Sequence, residues 1–547
     1  MRRTPLALAI AVALVVSAAG TAIARSGIVS TDTQANQPQV AGDRMSNTSA
    51  RFPTNKQNEP TIAIAHDGTH AIAGSNDEQN QPKCGPGPQR GETALGSNCS
   101  FFPGVGTSGV YVSGNAGGSW SNLGLLPGYT DTGSAVAPSA GPLIPFSAAP
   151  GTLISDGDAV VVFGPKLING KFTFTRGARA YYANLAAYAS SQGNQAPELL
   201  AVSISDNNGA SWYDPVLAVT ASGYVFNDKE DIWADRNPSS PNFGRVYLSW
   251  TQFRSGPGTA EPVMFAYSAD AGLTWSSPNQ LTAAYNNGSR GGRQGSLIRT
   301  GPDGEVYVII EDGDNQLGSQ QVVLVSLDGG LTFSKKISIS PVSDIADPIP
   351  GANFRTDSFA SAGVDQTSGA VYVAWANRVG TSARIVVSKG TNHGQTWSAA
   401  SPVSGAEGYA FFQGLDVAPN GRVDIGYQVL NAKDPTTYGT GNASVDSYYV
   451  SSVNGGATWS TPAMVSSASS DPAASAQNNL ARQFWGDYST VASTDAIALF
   501  IYTDARTGVG CPAVDAYQHG TAAKPAPGTD CLAQFGNTDL YVSKITP

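Results

Sequence analysis

Short segments in which apolar residues dominate or alternate with polar ones recur along almost the whole chain. They come in pairs separated by a Gly-containing turn: Thr61-Ile-Ala-Ile-Ala65 with His70-Ala-Ile-Ala-Gly74, Gly363-Val364 with Ala370-Val-Tyr-Val-Ala-Trp375, and Gly414-Leu-Asp-Val-Ala418 with Arg422-Val-Asp-Ile-Gly-Tyr427. Period-two patterning over so few residues predicts strands, and Asp67-Gly68, Asn169-Gly170, Asp303-Gly304, Ser368-Gly369 and Asn420-Gly421 predict tight hairpins between them. No sustained helical period competes with this reading.

A second pattern follows many of these pairs. Six segments share Ser-x-Asp/Asn-x-Gly-x-Thr/Ser-Trp/Phe or a shortened form of it: 113–120, 205–212, 268–275, 326–333, 392–397 and 452–459. From Trp212 onward their closing aromatics fall at intervals of 63, 58, 64 and 62 residues, through Trp275, Phe333, Trp397 and Trp459. The Asp or Asn can bond nearby amides and Gly supplies positive φ, so each octet predicts a hairpin turn anchored by its aromatic. A repeat of that period with four strands per unit predicts an all-β fold, a β-propeller of four-stranded antiparallel blades. Inner strand pairs start near Glu59, Asp158, Asp231, Gly295, Phe359, Gln413 and Asp487, which predicts seven blades, with six as the alternative.

Composition agrees with many short strands and turns: 62 glycines and 34 prolines in 547 residues, with 13% charged. A net charge of −10 without any basic run argues against nucleic acid as a partner. Arg2-Arg3 followed by the apolar run Leu6 to Val16 and Ala22-Ile-Ala24 predicts an export signal over 1–24. Residues 25–55 are then expected to be an extended leader and 56–547 the propeller. No other apolar stretch is long enough to span a bilayer, so the chain is expected to be exported, extracellular or periplasmic, without a transmembrane anchor, and monomeric. Four cysteines suit an oxidising compartment. Of three possible connectivities, Cys84–Cys99 and Cys511–Cys531 are expected because each closes one Gly/Pro-rich insertion. The four histidines do not cluster in sequence, which argues against a zinc site or a Ser-His-Asp triad; neither metal nor cofactor is expected.

In a propeller each innermost strand starts beside the axis, so its first polar residue is expected to face a central funnel. Those positions are Glu59, Asp158, Glu230 or Asp231, Gln294, Asp357, Gln413, and Asp487 with Tyr488, flanked by Lys229, Arg293, Arg355 and Arg482. Crowded carboxylates separate each other's pKa values, as acid–base work requires. Trp485, Phe411 and Phe412 could offer apolar faces to a sugar ring.

Asn58-Glu-Pro-Thr-Ile-Ala63, Lys229-Glu-Asp-Ile-Trp-Ala-Asp235, Gly244-Arg-Val-Tyr-Leu-Ser-Trp250, Gly486-Asp-Tyr-Ser489, Tyr502-Thr-Asp-Ala-Arg506 and the six octets together resemble the sialidase superfamily of Asp-box, or BNR-repeat, propellers. The resemblance implies an exported exo-α-sialidase-type glycoside hydrolase acting on a glycan or glycoconjugate. It implies Tyr488 as nucleophile, Glu230 as its base, and Glu59 or Asp77 as acid/base. Arg293 and Arg355 would then clamp a sugar carboxylate. Asp231 and Asp487 join the catalytic candidates; Arg482, Asp357, Asp158, Gln413 and Trp485 join the binding ones. Asn58 stands where that family carries its first clamp arginine, and Arg51 lies upstream of the strand. A non-catalytic propeller that binds glycan or protein is the alternative, and a metal-dependent carbohydrate enzyme a third possibility.

Overall fold

The computed structural model describes residues 28–38, 56–78, 107–129, 143, 152–188, 197–221, 223, 225–254, 260–283, 292–314, 318–405, 408–477, 479–532 and 534–547. Cys84, Cys99 and the expected export signal lie outside the described residues. Nearly every element is a strand, and the connections are the turns that Gly, Asn and Asp favour.

Among the described residues there are five four-stranded antiparallel blades. The first is Gln57–Ile64, Ala71–Asp77, Ser108–Ser113 and Ser121–Leu125. The second begins with an unusually long hairpin, Leu153–Ile168 with Lys171–Tyr188, and the third and fourth begin with Val225–Ala234 and Arg293–Thr300. The fifth combines Thr490–Ser493, Ala498–Asp504 and Asp539–Thr546 with Val29–Gln34 from the other end of the chain, paired from Val29↔Thr546 to Gln34↔Tyr541. A strand exchanged between chain ends hides an edge and holds the ring shut.

The expectation of seven four-stranded blades, or six, is corrected to five. Between Ser361 and Met464 the chain forms one nine-stranded sheet. Its two runs, whose starts at Phe359 and Gln413 suggest separate blades, are joined edge to edge by the parallel pair Ala383↔Tyr409. The Ser382 hydroxyl donates to the Gly408 carbonyl at 2.9 Å across the same seam. Repeat counting reads strands, whereas sheet count depends on hydrogen bonds between their edges.

Between the sheets lies an aliphatic and aromatic core in which Trp212, Trp250, Trp375 and Trp485 are fully buried. The octets close the outer hairpins with one repeated hydrogen-bond scheme. In 326–333 the Gly330 N–H donates to Ser326 Oγ at 2.8 Å, and the Thr332 N–H and hydroxyl donate to Asp328 at 2.9 and 2.6 Å. Gly330 has φ +89°, a value that a Cβ would strain. The same Ser–Gly and Asn/Asp–Ser/Thr bonds recur in 113–120, 205–212, 268–275 and 452–459. These five octets are therefore turn scaffold. Cys511–Cys531 is bonded, with Cα atoms 5.3 Å apart, and staples the insertion that carries the helix Pro512–Gln518.

Candidate functional site

The innermost strands do not run straight past the axis. Register shifts between Asn58/Thr61, Gly157/Val160, Asp228/Asp231, Gln294/Leu297 and Phe411/Gly414 mark a bulge near the start of five of them. Each bulge carries one residue with φ between +45° and +62°: Glu59, Asp158, Lys229, Gly295 and Phe412. A bulge re-aims a side chain, and left-handed backbone at a non-glycine residue costs about 1–2 kcal/mol, so the fold spends strain on aiming these groups. Three of them, Glu59, Asp158 and Lys229, meet at the funnel.

Lys229 Nζ donates to Asp487 Oδ2 and lies 3.7 Å from Asp158 Oδ2. Arg355 grips the same Asp487 with Nε to Oδ1 and Nη2 to Oδ2, both 2.7 Å, and reaches Glu59 at 3.4 Å. Asn76 donates to Glu59 Oε2 at 2.7 Å and accepts from the Asp158 N–H at 2.7 Å. Burial alone would raise Asp487, but Lys229 and Arg355 outweigh it and hold this carboxyl below its usual range. Glu59 is moved the other way, well up, by burial and then by the charge of Asp158. Asp158 and Asp228 are also raised by burial, and Asp357 is pushed up to about 6 by desolvation, with Asp344 and Asp487 adding to it.

These groups line the mouth of the funnel, a cavity of about 550 Å³. One step further along the inner strands the space narrows to a throat of about 130 Å³ lined by Glu230, Tyr488, Thr61 and Ser489 together with Lys229 and Asp487. Four polar atoms there, both carboxyl oxygens of Glu230, Thr61 Oγ1 and Ser489 Oγ, are buried without a hydrogen-bond partner. Burial, followed by the charge of Asp158, pushes Glu230 well up. Tyr488 is half-buried, has Lys229 Nζ 5.5 Å from its ring centroid, and is likewise raised by burial and the nearby carboxylates.

The structure thus gathers Tyr488, Glu230, Glu59, Asp158, Asp357, Asp487 and Arg355 around one funnel. It sends the other candidates elsewhere. Asp77 faces into its blade, accepting from the Tyr111 hydroxyl at 2.5 Å and from Gln57 at 2.8 Å. Asp231 ties blades together through the Ile298 N–H at 2.6 Å and Arg299 at 3.1 Å, although part of it borders the throat. Arg293 is buried against Asp312 at 3.1 Å, and Arg482 pairs with Asp347 at 2.8 Å. Gln413, whose amide donates to the carbonyls of Phe359 and Ala374, bridges strands at the throat wall. Trp485 is fully buried, its indole N–H donating to Gln428 at 2.9 Å, and it presents no face to the funnel.

Lys229 enters as a principal member where sequence suggests only a flanking cation, and Asn76 enters unforeseen. Strand alternation carries the signal for Asn76: it pairs with Asn58 across the ladder, so it shares a face with the funnel while its neighbour Asp77 cannot. Among the described residues one group has the spacing of metal ligands, Asp303, Glu305 and His393, and it lies at the opposite end of its strands from the funnel. No described helix is long and apolar enough to cross a membrane.

No protein-family pattern matches the chain, and no curated protein matches it. Among solved structures it is similar to the Hadza microbial sialidase Hz136, with 16% identity and a TM-score of 0.38 over 59% of this chain and 60% of that one. It is similar to the NanB sialidase from Streptococcus pneumoniae, with 10% identity and a TM-score of 0.38 over 87% and 83% of the two chains. A protein of unknown function from Dyadobacter fermentans is similar over 74% of this chain and all of its own, with 14% identity and a TM-score of 0.39. The chain covers about 60% of the Hz136 chain.

Proposed function

We propose that this chain is an exported glycoside hydrolase of the exo-α-sialidase type, working in the throat between Glu59 and Tyr488. The observation that carries the reading is the set of orphaned polar atoms there. Buried hydroxyls and carboxyls without partners are costly, and they are tolerated where a ligand or water completes them. Tyr488 would attack the anomeric carbon, its phenolic proton passing to Glu230. Because burial raises Glu230, it can take that proton only when ionised, so this route gains as pH rises past its folded value. Glu59, raised well above its ordinary value by burial, would hold its proton to higher pH than an ordinary carboxyl and hand it to the departing glycosidic oxygen. Water then hydrolyses the glycosyl–tyrosine bond with net retention, the exception to the two-carboxylate scheme. Lys229 and Arg355 hold Asp487 ionised and fixed, which orients the adjoining Tyr488.

In this reading residues 1–24 are the export signal, 25–55 a leader that lends Val29–Gln34 to the closing blade, and 56–547 the catalytic propeller. The disulfide at Cys511–Cys531 is compatible with export. Turnover of fluorogenic sialosides tests the proposal: wild-type activity abolished in Tyr488→Phe supports it, and wild-type inactivity on sialosides and other acidic-sugar glycosides rejects it.

One observation favours a second reading, a propeller that binds glycan without cleaving it. Of the two arginines expected as a clamp, Arg293 is paired with Asp312 and Arg355 is already shared by Asp487 and Glu59, while Arg482, expected among the binding residues, is paired with Asp347. Saturable glycan binding without product, unchanged in Tyr488→Phe, would select that reading.

A further inference from the structure

At the far end of the axis, beyond the throat, lies a second and larger cavity of about 610 Å³. It is built where the inner strands end, from His66, Phe163, Phe174, Trp233, Arg236 and Arg299 among others. The long second hairpin brings Phe174 here, and this ring stacks on His66 with centroids 4.3 Å apart. A space of this size with an aromatic wall falls within the range of small-molecule sites.

Its charges are unequally satisfied. Asp416 accepts the N–H groups of Val417 and Ser493 at 2.9 and 2.8 Å, Asp67 accepts those of Thr69 and His70, and Asp495 accepts that of Asn420. Arg299 donates to Ala362 O through Nε, and to Asp231 and Ile298 O through Nη1, leaving Nη2 without an acceptor. Among the described residues Arg236 makes no hydrogen bond and no ion pair; its guanidinium lies 4.4 Å from the Trp233 ring centroid, and that of Arg299 lies 4.2 Å from it. Five N–H donors therefore border the cavity from Arg236 alone. Burial lowers Arg236, and the charge of Arg299 opposes it further while Asp416 supports it. An incoming anion relieves both effects.

We infer that this distal cavity is a binding site for a small organic carboxylate with a flat apolar body, held by the Arg236 fork with help from Arg299 Nη2 and stacked against the aromatic wall. A planar guanidinium matches a carboxylate in two parallel hydrogen bonds, and the ring of the ligand would cover the exposed part of Phe174. Arg299 borders both this cavity and the throat, but none of the groups proposed for the chemistry, Tyr488, Glu230 and Glu59, lines the distal cavity.

Isothermal titration of the full chain with benzoate, and with benzamide as its neutral counterpart, tests it. The expected result is saturable benzoate binding that benzamide lacks, weakened about tenfold or more in Arg236→Gln and unaltered in Tyr488→Phe. Circular dichroism verifies that the variant is folded. If Arg236→Gln does not fold, Arg236→Lys replaces it, and several-fold weaker binding is expected because a point charge loses the fork. Absence of benzoate binding, equal binding of benzamide, indifference to the Arg236 substitution, or loss in Tyr488→Phe would each overturn the inference.

Discussion

Arg355 holds Asp487 through two parallel hydrogen bonds of 2.7 Å while Lys229 donates to the same carboxylate from the other side. This doubly clamped aspartate makes the funnel's stability pH-dependent. A carboxyl held below its unfolded value, about 3.9, contributes stability that is fully present above that pH and is lost as pH falls toward the folded value. In Arg355→Gln one clamp is gone, the folded value rises, and less stability is left to lose. Melting temperature followed from pH 7 to 3 is expected to start lower in the variant and to fall less on acidification. A variant profile parallel to wild type would show that the clamp does not set the Asp487 ionisation.

Glu230 predicts a trade between stability and activity. Its folded value is raised, so above the unfolded value, about 4.3, the unfolded chain ionises while the folded one stays protonated. Stability is therefore lost with rising pH until the folded value is passed. Glu230→Gln removes that loss, and the variant is expected to gain on wild type as pH rises above the unfolded value. Turnover measured above the folded value, where Glu230 is ionised, should fall by about 10²–10⁴-fold if Glu230 is the base. Denaturant midpoints against pH and initial rates on the same samples check both halves.

The octets predict the opposite behaviour, stability without activity. Asp328 is exposed, and although burial slightly opposes it, the Thr332 hydroxyl and N–H bring its carboxyl down to about 2. Asp328→Ala should cost at most about 1 kcal/mol because solvent screens the site. Ser326→Ala, whose buried Oγ accepts the Gly330 N–H, should cost about 1 kcal/mol or more by orphaning that donor. Neither change should alter kcat/KM; a drop in kcat/KM without a shift in melting temperature would contradict the scaffold role.

The contrast between these groups explains how far the sequence could be read. Octets are local devices, their partners lying within four residues, so their turn geometry is visible in the chain itself. Funnel positions depend on the axis, and counting first polar residues found Glu59, Asp158, Glu230 and Asp487. It could not see the bulge that turns Lys229 inward. Nor could it see that Asp312 and Asp347 occupy Arg293 and Arg482, or that Trp485 is needed as core, since those partners lie far away in sequence. The blade count failed for the same reason: the Ala383↔Tyr409 seam is a contact between edges that leaves no motif.

The bulges themselves supply a last prediction, because the same backbone strain sits under side chains of opposite value to the fold. Asp158 and Lys229 have φ of +52° and +53°, where glycine in the fourth blade, Gly295, has +62°. Replacing either by glycine relieves about 1 kcal/mol of left-handed strain. In Asp158→Gly the lost group is a carboxyl that burial already raises, paired with Lys229 only at 3.7 Å, and its backbone N–H keeps its bond to Asn76. The net effect is expected to be stabilising by about 1 kcal/mol. In Lys229→Gly the buried Asp487 loses one of its two cations, and breaking a buried pair costs about 3–5 kcal/mol, so a net loss of about 2–4 kcal/mol is expected. Urea midpoints of the two variants should thus move in opposite directions from wild type. Movement in the same direction would mean that strain, and not the charge each bulge presents, decides how these positions contribute.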